Sequence, residues 1–452
     1  MRCARLTTTS LCLLALLRFL PRTAALVLLV AAMPSLPGFE GRAQSPEANY
    51  DEAKVRTYTL PDPLRLENGK GVDSPRVWRH ERRPEILRLF EEYVYGHSPR
   101  PPRKLQFVET SREPRALGGL ATRKEITVWL TANGVGPELN LLVYIPNQRP
   151  GPAPLFLGMN FNGNQSVNSD SGITPSAALF SEYKKHGVVD PDTVDKFRGT
   201  ESSRWPIEMI LKRGYAVATF YYGDLFPDRA DGLRDSIIPF YFRLGQKVPN
   251  ADEWGAIAAW AWGLSRAMDY FTRDPDVDGR RVAVWGHSRL GKAALWAGAQ
   301  DERFALVISN DSGEGGAALA RRNFGETIEI INARFPHWFC ANYKKFATNV
   351  EALPVDQHML ISLIAPRPVY IASAAGDLWA DPKGEFLAAK AASAVYRLLG
   401  TDGLGLNEMP SNNQPVFTMM GYHIREGKHD TTTYDWEQFL NFADRHLARL
   451  KK

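Results

Sequence analysis

The sequence predicts an α/β protein, a three-layer αβα sandwich with a mostly parallel central sheet. Three observations carry this. Short, continuous apolar runs recur along the chain, which is how strands buried on both faces read. Segments of helical periodicity separate many of them, as crossovers between parallel strands require. The 452 residues are 44% hydrophobic and 23% charged, an ordinary globular balance without collagen-like or disordered bias.

Residues 1–43 stand apart. Arg2 and Arg5 precede the apolar runs Leu11–Leu17 and Ala24–Met33, and small residues follow at Gly41 and Ala43. A basic start, an apolar centre and a small-residue exit read as a secretory signal cut after Ala43, giving a secreted or periplasmic protein. The interruption "RFLPR" leaves each run short of the ~18 residues of a membrane span. Without the leader the chain holds 50 Lys+Arg against 49 Asp+Glu, a net charge of +1, so the basicity gives no support to nucleic-acid binding. Cys3 and Cys12 leave with it, and Cys340 alone can form neither an internal disulfide nor a cysteine metal site.

Residues 44–452 are expected to form one catalytic domain. Its first part, about 44–105, is an arm rich in charge and proline, with an amphipathic helix over Arg83–Gly96. From about residue 125 the alternation sets in. Strands are expected at Glu138–Pro146, Ala153–Asn164 and Gly214–Asp224, then a long helix over Glu253–Phe271. A strand (Arg281–Gly286) and a helix (Arg289–Asp301) follow. Further strands are expected at Phe304–Asp311, Arg367–Asp377 and Pro415–His423, before a final amphipathic helix. "DPDVDG" (Asp274–Gly279) resembles the start of a calcium loop, but the twelfth position is Trp285, inside a strand, so a polar turn is the better reading. In sheets of this kind ligands bind beyond the carboxyl ends of the strands.

"VAVWGHSRLGKAALW" (Val282–Trp296) places Ser288 on the turn between strand and helix. There a hydroxyl is exposed, and the following N–H groups face whatever it attacks. The usual pattern is Gly-x-Ser-x-Gly. Here Gly286 is in place, Leu290 occupies the second glycine's position, and Gly291 comes one residue late. The competing reading is a helix N-cap serine. A serine nucleophile on this scaffold needs an acid and then a histidine at later strand ends. Asp377 ends one strand, with Asp381 in reserve, and His429 lies in the polar loop before the final helix. An acid so placed holds the imidazole in the right tautomer. His423 reads as structural, and His446 lies on the face of the last helix. Asp311 ends the preceding strand with Glu314 close behind, and either could reach the same histidine, neighbouring strand ends being about 5 Å apart.

"GHSRLGKAALW", "SNDSGEGGAAL", "GDLWADPKGEF" and "GKHD" together resemble the glucuronoyl esterases of carbohydrate esterase family 15, from roughly residue 75 to the end. The resemblance implies the α/β-hydrolase fold, and makes Gly-x-Ser-Arg-x-Gly-Lys, with its late glycine, the family's own pattern. It implies cleavage of the ester between a glucuronic or 4-O-methyl-glucuronic acid branch of xylan and a lignin alcohol, with no metal or cofactor. By the same resemblance Ser288 is the nucleophile, His429 the base, and Arg289 the oxyanion group through its N–H and guanidinium. Lys292 and Glu326 bond sugar hydroxyls, and Trp379 lines the sugar site. The family places its acid at either of two positions, here Asp377 or Asp311. Asp377 is expected to be the main acid, since many relatives carry the longer glutamate at the other position. The lone mature cysteine points to the bacterial branch, fungal members being stapled by disulfides. Two other functions compete: a broader carboxylesterase or acetyl xylan esterase, and a carbohydrate-binding protein on a hydrolase scaffold.

Overall fold

The computed structural model describes residues 47–447 except 103, 132, 133, 188, 189 and 191. The leader expected over 1–43 lies outside the described residues. The strands are β1 (Gln106–Ala116), β2 (Ala121–Trp129), β3 (Glu138–Pro146), β4 (Ala153–Asn160), β5 (Ala216–Tyr221), β6 (Val277–His287), β7 (Leu306–Asn310), β8 (Val369–Ala374), β9 (Val416–Phe417) and β10 (Met420–Arg425). They form one sheet in the order β1-β2-β3-β5-β4-β6-β7-β8-β10-β9. Pairing is parallel from β5 through β4, β6, β7 and β8 to β10, and antiparallel at both margins.

The helices that matter to the site are α1 (Arg83–Phe90), α2 (Ala256–Phe271), α3 (Arg289–Gln300), α4 (Pro382–Leu398) and α5 (Thr433–His446). Alternate residues of each central strand enter opposite cores, as a period of two dictates. Val282 and Val284 pack into the core that also takes α2, α3 and α4, while Ala283 and Trp285 pack with Trp436 and Phe439 of α5. Residues buried on both faces explain why β4 to β8 read as unbroken apolar runs. α2 is buried almost all round rather than along one stripe, Trp260 and Trp262 packing on Tyr222, Tyr241 and Trp254, while the N-terminal arm packs on the neighbouring α3. Tyr95 of that arm stacks on Trp296 of α3 at 4.4 Å between ring centroids. Arg83 donates to the Ala299 carbonyl at 2.8 Å.

Three expectations need correction. The hairpin β1–β2 was not expected, the sheet beginning before residue 125 rather than after it. β2 hides its signal in charge: Lys124 is 1% exposed and bonds Asp274 at 2.9 Å and Asp276 at 2.6 Å, while Arg123 pairs with Asp170 at 2.7 Å. The strand expected over Pro415–His423 is two, β9 and β10, paired antiparallel. The arm helix runs over Arg83–Phe90, continues as a π-helical turn (Glu91–Tyr95) and stops at Gly96 with φ 85°. A Cβ there would lie 2.3 Å from the Glu253 carbonyl oxygen, so the turn requires glycine. The calcium-like segment is a turn into β6, its Asp274 and Asp276 taken by Lys124.

Candidate active site

β6 delivers Ser288 to the carboxyl edge of the sheet, and α3 begins at the next residue. Ser288 has φ 58° and ψ −131°, a conformation that costs a non-glycine residue about 1–3 kcal/mol and persists only where its surroundings enforce it. Here they do: Ser288 N donates to the Asn310 carbonyl at 2.9 Å, and the Ser288 carbonyl accepts from Gly291 N at 2.9 Å and Lys292 N at 3.2 Å. The Ser288 side chain makes no capping bond to α3, which removes the N-cap reading. The glycines divide the steric work unequally. A Cβ on Gly286 would lie 2.0 Å from the Leu290 carbonyl oxygen, whereas one on Gly291 would meet Gly286, Ser309 and Ser312 only at 3.0–3.1 Å. Leu290 itself is buried in the core.

His429 lies in the loop after β10, partly exposed. Its Nδ1 is 2.5 Å from Asp377 Oδ2, a close charge-assisted contact that directs the Nδ1 proton at the carboxylate. The loop is tied at both ends. Gly376 N donates to the Gly427 carbonyl at 2.8 Å. Arg425 donates to the Lys428 carbonyl at 3.1 Å and pairs with buried Asp435 at 2.8 Å. Burial works against ionising Asp435, but its bonds with His423 and Arg425 hold its pKa below the usual range. His423 bridges Tyr370 and Asp435, each at 2.9 Å, and is structural.

The two candidate acids end adjacent strands and differ sharply. Asp311, Asp377 and His429 offer ligand atoms all within 4.8 Å of one another, a spacing that could hold a cation, although Nδ1 is already taken by Asp377. Asp311 instead accepts from Asp430 N at 3.3 Å and Arg425 at 3.5 Å, and its Oδ1 is buried without a partner among the described residues. Burial, with the charges of Glu385 and Asp377, pushes its pKa well above the carboxylate range, Arg425 only partly offsetting them. The reserve candidates are elsewhere. Asp381 caps α4 through Gly384 N at 2.9 Å and pairs with Arg322 at 2.7 Å. Glu314 is turned to the hydroxyl of Tyr343, and burial pushes it up to about 8.

Arg289 donates to Asp228, and its guanidinium lies 4.9 Å from the centre of the Trp338 ring. Its Nε is buried and unpartnered among the described residues. Lys292 is buried, with Nζ donating to the carbonyls of Ser312 (2.7 Å) and Glu314 (2.6 Å) and to Glu326 Oε2 (3.2 Å). Those contacts use all three ammonium hydrogens. Glu326 N donates to the Trp379 carbonyl at 2.9 Å, so Lys292, Glu326 and Trp379 are neighbours although 87 residues separate the outer two. Arg334 lies over the partly exposed Trp379 ring at 4.7 Å. Sequence reasoning did not single out Asp228, His337, Trp338, Arg425 or Glu385. Glu385 is fully buried in α4 and receives Ser312 N at 2.8 Å and Gly313 N at 3.0 Å, supporting the turn after Asp311. These residues sit in loops, in a helix and at the end of a strand, with no spacing that ties them to Ser288.

The fold is that of the α/β-hydrolases, with a strained serine at the turn from a parallel strand into a helix and, later in the chain, an acid and a histidine that touch. Comparisons with known proteins narrow the class. Residues 203–400 match the family described as fungal glucuronyl esterase. A carbohydrate esterase, MZ0003, from an unknown prokaryotic organism is 47% identical over 94% of this chain and 98% of its own. The glucuronoyl esterase of Solibacter usitatus is 49% identical, with a TM-score of 0.82 over 87% of this chain and 99% of that one. A structure described as a promiscuous family 15 esterase from a marine bacterial metagenome is 48% identical, with a TM-score of 0.82 over 88% and 100%. The chain belongs to carbohydrate esterase family 15, the glucuronoyl esterases, and is a carboxylic ester hydrolase.

Proposed function

We propose that this protein is exported, loses residues 1–43, and hydrolyses the ester between a glucuronic or 4-O-methyl-glucuronic acid branch of xylan and a lignin alcohol, through an acyl-enzyme on Ser288. The observation that carries the reading is the contact of His429 with Asp377, together with a serine held in a strained strand–helix turn. His429 Nε2 takes the Ser288 proton as Oγ attacks the ester carbonyl, and Asp377 stabilises the imidazolium that forms. The N–H of Arg289, one of the helix-opening donors without an intrahelical partner, and its guanidinium receive the developing negative charge. His429 returns the proton to the departing alcohol, then activates the water that frees the uronate. An esterified uronic acid has no carboxylate of its own to compete for Arg289 until that last step. Lys292, Glu326 and Trp379 form the sugar side. Lys292 reaches a hydroxyl by exchanging one of its present carbonyl partners, and Glu326 is its fixed counter-charge.

A second reading, a carboxylesterase of broader range, is favoured by the promiscuity ascribed to the metagenomic relative. Rates on benzyl glucuronate and on acetylated xylan separate the two: turnover of the acetyl ester alone would sink the first. Ser288→Ala is expected to abolish hydrolysis while leaving glucuronate binding measurable by calorimetry. Full activity in that variant would move the nucleophile elsewhere.

A further inference from the structure

Arg289 follows the elbow serine directly, yet a long, flexible side chain at the start of a helix has no intrinsic reason to hold one rotamer. A carboxylate from a distant loop supplies one. The Asp228 side chain is 5% exposed and gathers four donors. Its Oδ2 accepts from Arg289 and, at 3.5 Å, from the Tyr222 hydroxyl, and its Oδ1 accepts from His337 Nε2 at 2.8 Å and Trp338 Nε1 at 2.7 Å. The same Trp338 lies under the guanidinium at 4.9 Å, Phe335 stacks parallel on Trp338 at 3.8 Å, and Phe161 lies 6.0 Å from the cation. One tryptophan thus fixes the acid through its N–H and the arginine through its ring face. Burial alone would push the Asp228 carboxyl up, but His337, Arg289 and Trp338 outweigh it and keep it below the usual range. The charge therefore persists in a site where Arg289 is 29% exposed and open to a ligand.

We propose that Asp228 is a positioning residue that acts through Arg289, holding the guanidinium in one orientation beside Ser288 for the oxyanion. A preorganised donor is worth more than a mobile one because it need not be ordered as charge develops. The inference rests on Arg289 serving the oxyanion, as set out above.

The test is a double-mutant cycle with Asp228→Asn and Arg289→Ala, read as kcat and KM on benzyl glucuronate and on p-nitrophenyl acetate. An oxyanion forms on either ester, so failure on the first substrate would overturn the substrate reading while the second still interrogates Asp228. Asp228→Asn keeps the shape and the Trp338 bond, and is expected to lower kcat by about 10- to 100-fold, less than the loss of a whole oxyanion donor, with KM little changed. In the Arg289→Ala background it should cost nothing further. Equal losses in both backgrounds, or no loss in the single variant, would overturn the proposal. An Arg289→Ala variant with full kcat would instead bring down the role given to Arg289, and Asp228 with it. Should Asp228→Asn fail to fold, Trp338→Phe tests the same chain of contacts. It keeps an aromatic ring near the guanidinium and removes the indole donor, together with part of the stacking surface. A smaller loss that again disappears without Arg289 supports the proposal; an undiminished loss refutes it.

Discussion

Asp311 and Asp377 end neighbouring strands with the same chemical group, and their surroundings give them opposite character. Asp377 meets His429 Nδ1 at 2.5 Å. Asp311 is buried beside other carboxylates, has an oxygen without a partner among the described residues, and has its pKa pushed well above the usual carboxylate range by burial and by those neighbours. A carboxyl whose surroundings disfavour its charge stabilises an imidazolium less than one that pairs with it directly. Asp377→Asn is therefore expected to lower kcat by about 10³- to 10⁴-fold, the size of a triad acid whose loss leaves the histidine in the wrong tautomer. Asp311→Asn should cost about tenfold or less. Steady-state kinetics of the two variants decide the matter, and a larger loss in Asp311→Asn reverses the assignment. At this scale the serine, acid and histidine were legible because each falls just past an apolar run, in the order that this scaffold imposes. Asp228 was not legible. It lies 61 residues from Arg289, and nothing local in "FPDRAD" says what it will face.

At the scale of elements, the turn from β6 to α3 is set by close approach. Gly286→Ala would drive a methyl into the Leu290 carbonyl and is expected to destabilise the protein by about 1–3 kcal/mol in urea unfolding, more than Gly291→Ala, whose Cβ meets its neighbours near 3.0 Å. Equal costs would mean that the late glycine serves the turn as strictly as the first. The β1–β2 hairpin makes a different point. β1 is an exposed edge rich in charge, and β2 carries its buried charges on salt bridges, so neither shows an apolar pattern. Lys124→Met leaves Asp274 buried without its cation and is expected to cost about 3–5 kcal/mol. A neutral result in the same unfolding measurement would show that Arg112 and Arg149, which pair with the adjacent Asp276, supply enough positive charge without Lys124.

Across the whole molecule, several carboxyls are buried without full charge compensation, which gives stability a direction in pH. Asp224 is fully buried, and that burial pushes its pKa up to about 8, against a single backbone hydrogen bond from Asn140. In the unfolded chain it ionises near 4. Between those values the folded state keeps a proton that the unfolded chain has released. Its contribution to stability is thus complete below pH ~4 and declines as pH rises, by at most about 1.4 kcal/mol per unit, until pH ~8. Calorimetric melting of Asp224→Asn against the parent should show a shallower fall in Tm between pH 5 and 8; parallel curves would show that Asp224 is not the group responsible.

The sequence by itself determined the alternation of buried strands and helices, the place of Ser288 at a strand–helix turn, and the succession of Asp377 and His429 beyond later strands. Periodicity, turn chemistry and chain order are local properties, and a linear reading reaches them. Tertiary structure alone decided which aspartate touches His429, what holds Arg289, and that Lys292 meets Glu326 and Trp379. Those relations depend on burial and on side chains brought together from loops tens to hundreds of residues apart. The field at each carboxyl is a sum over neighbours in space, and adjacency along the chain does not report it.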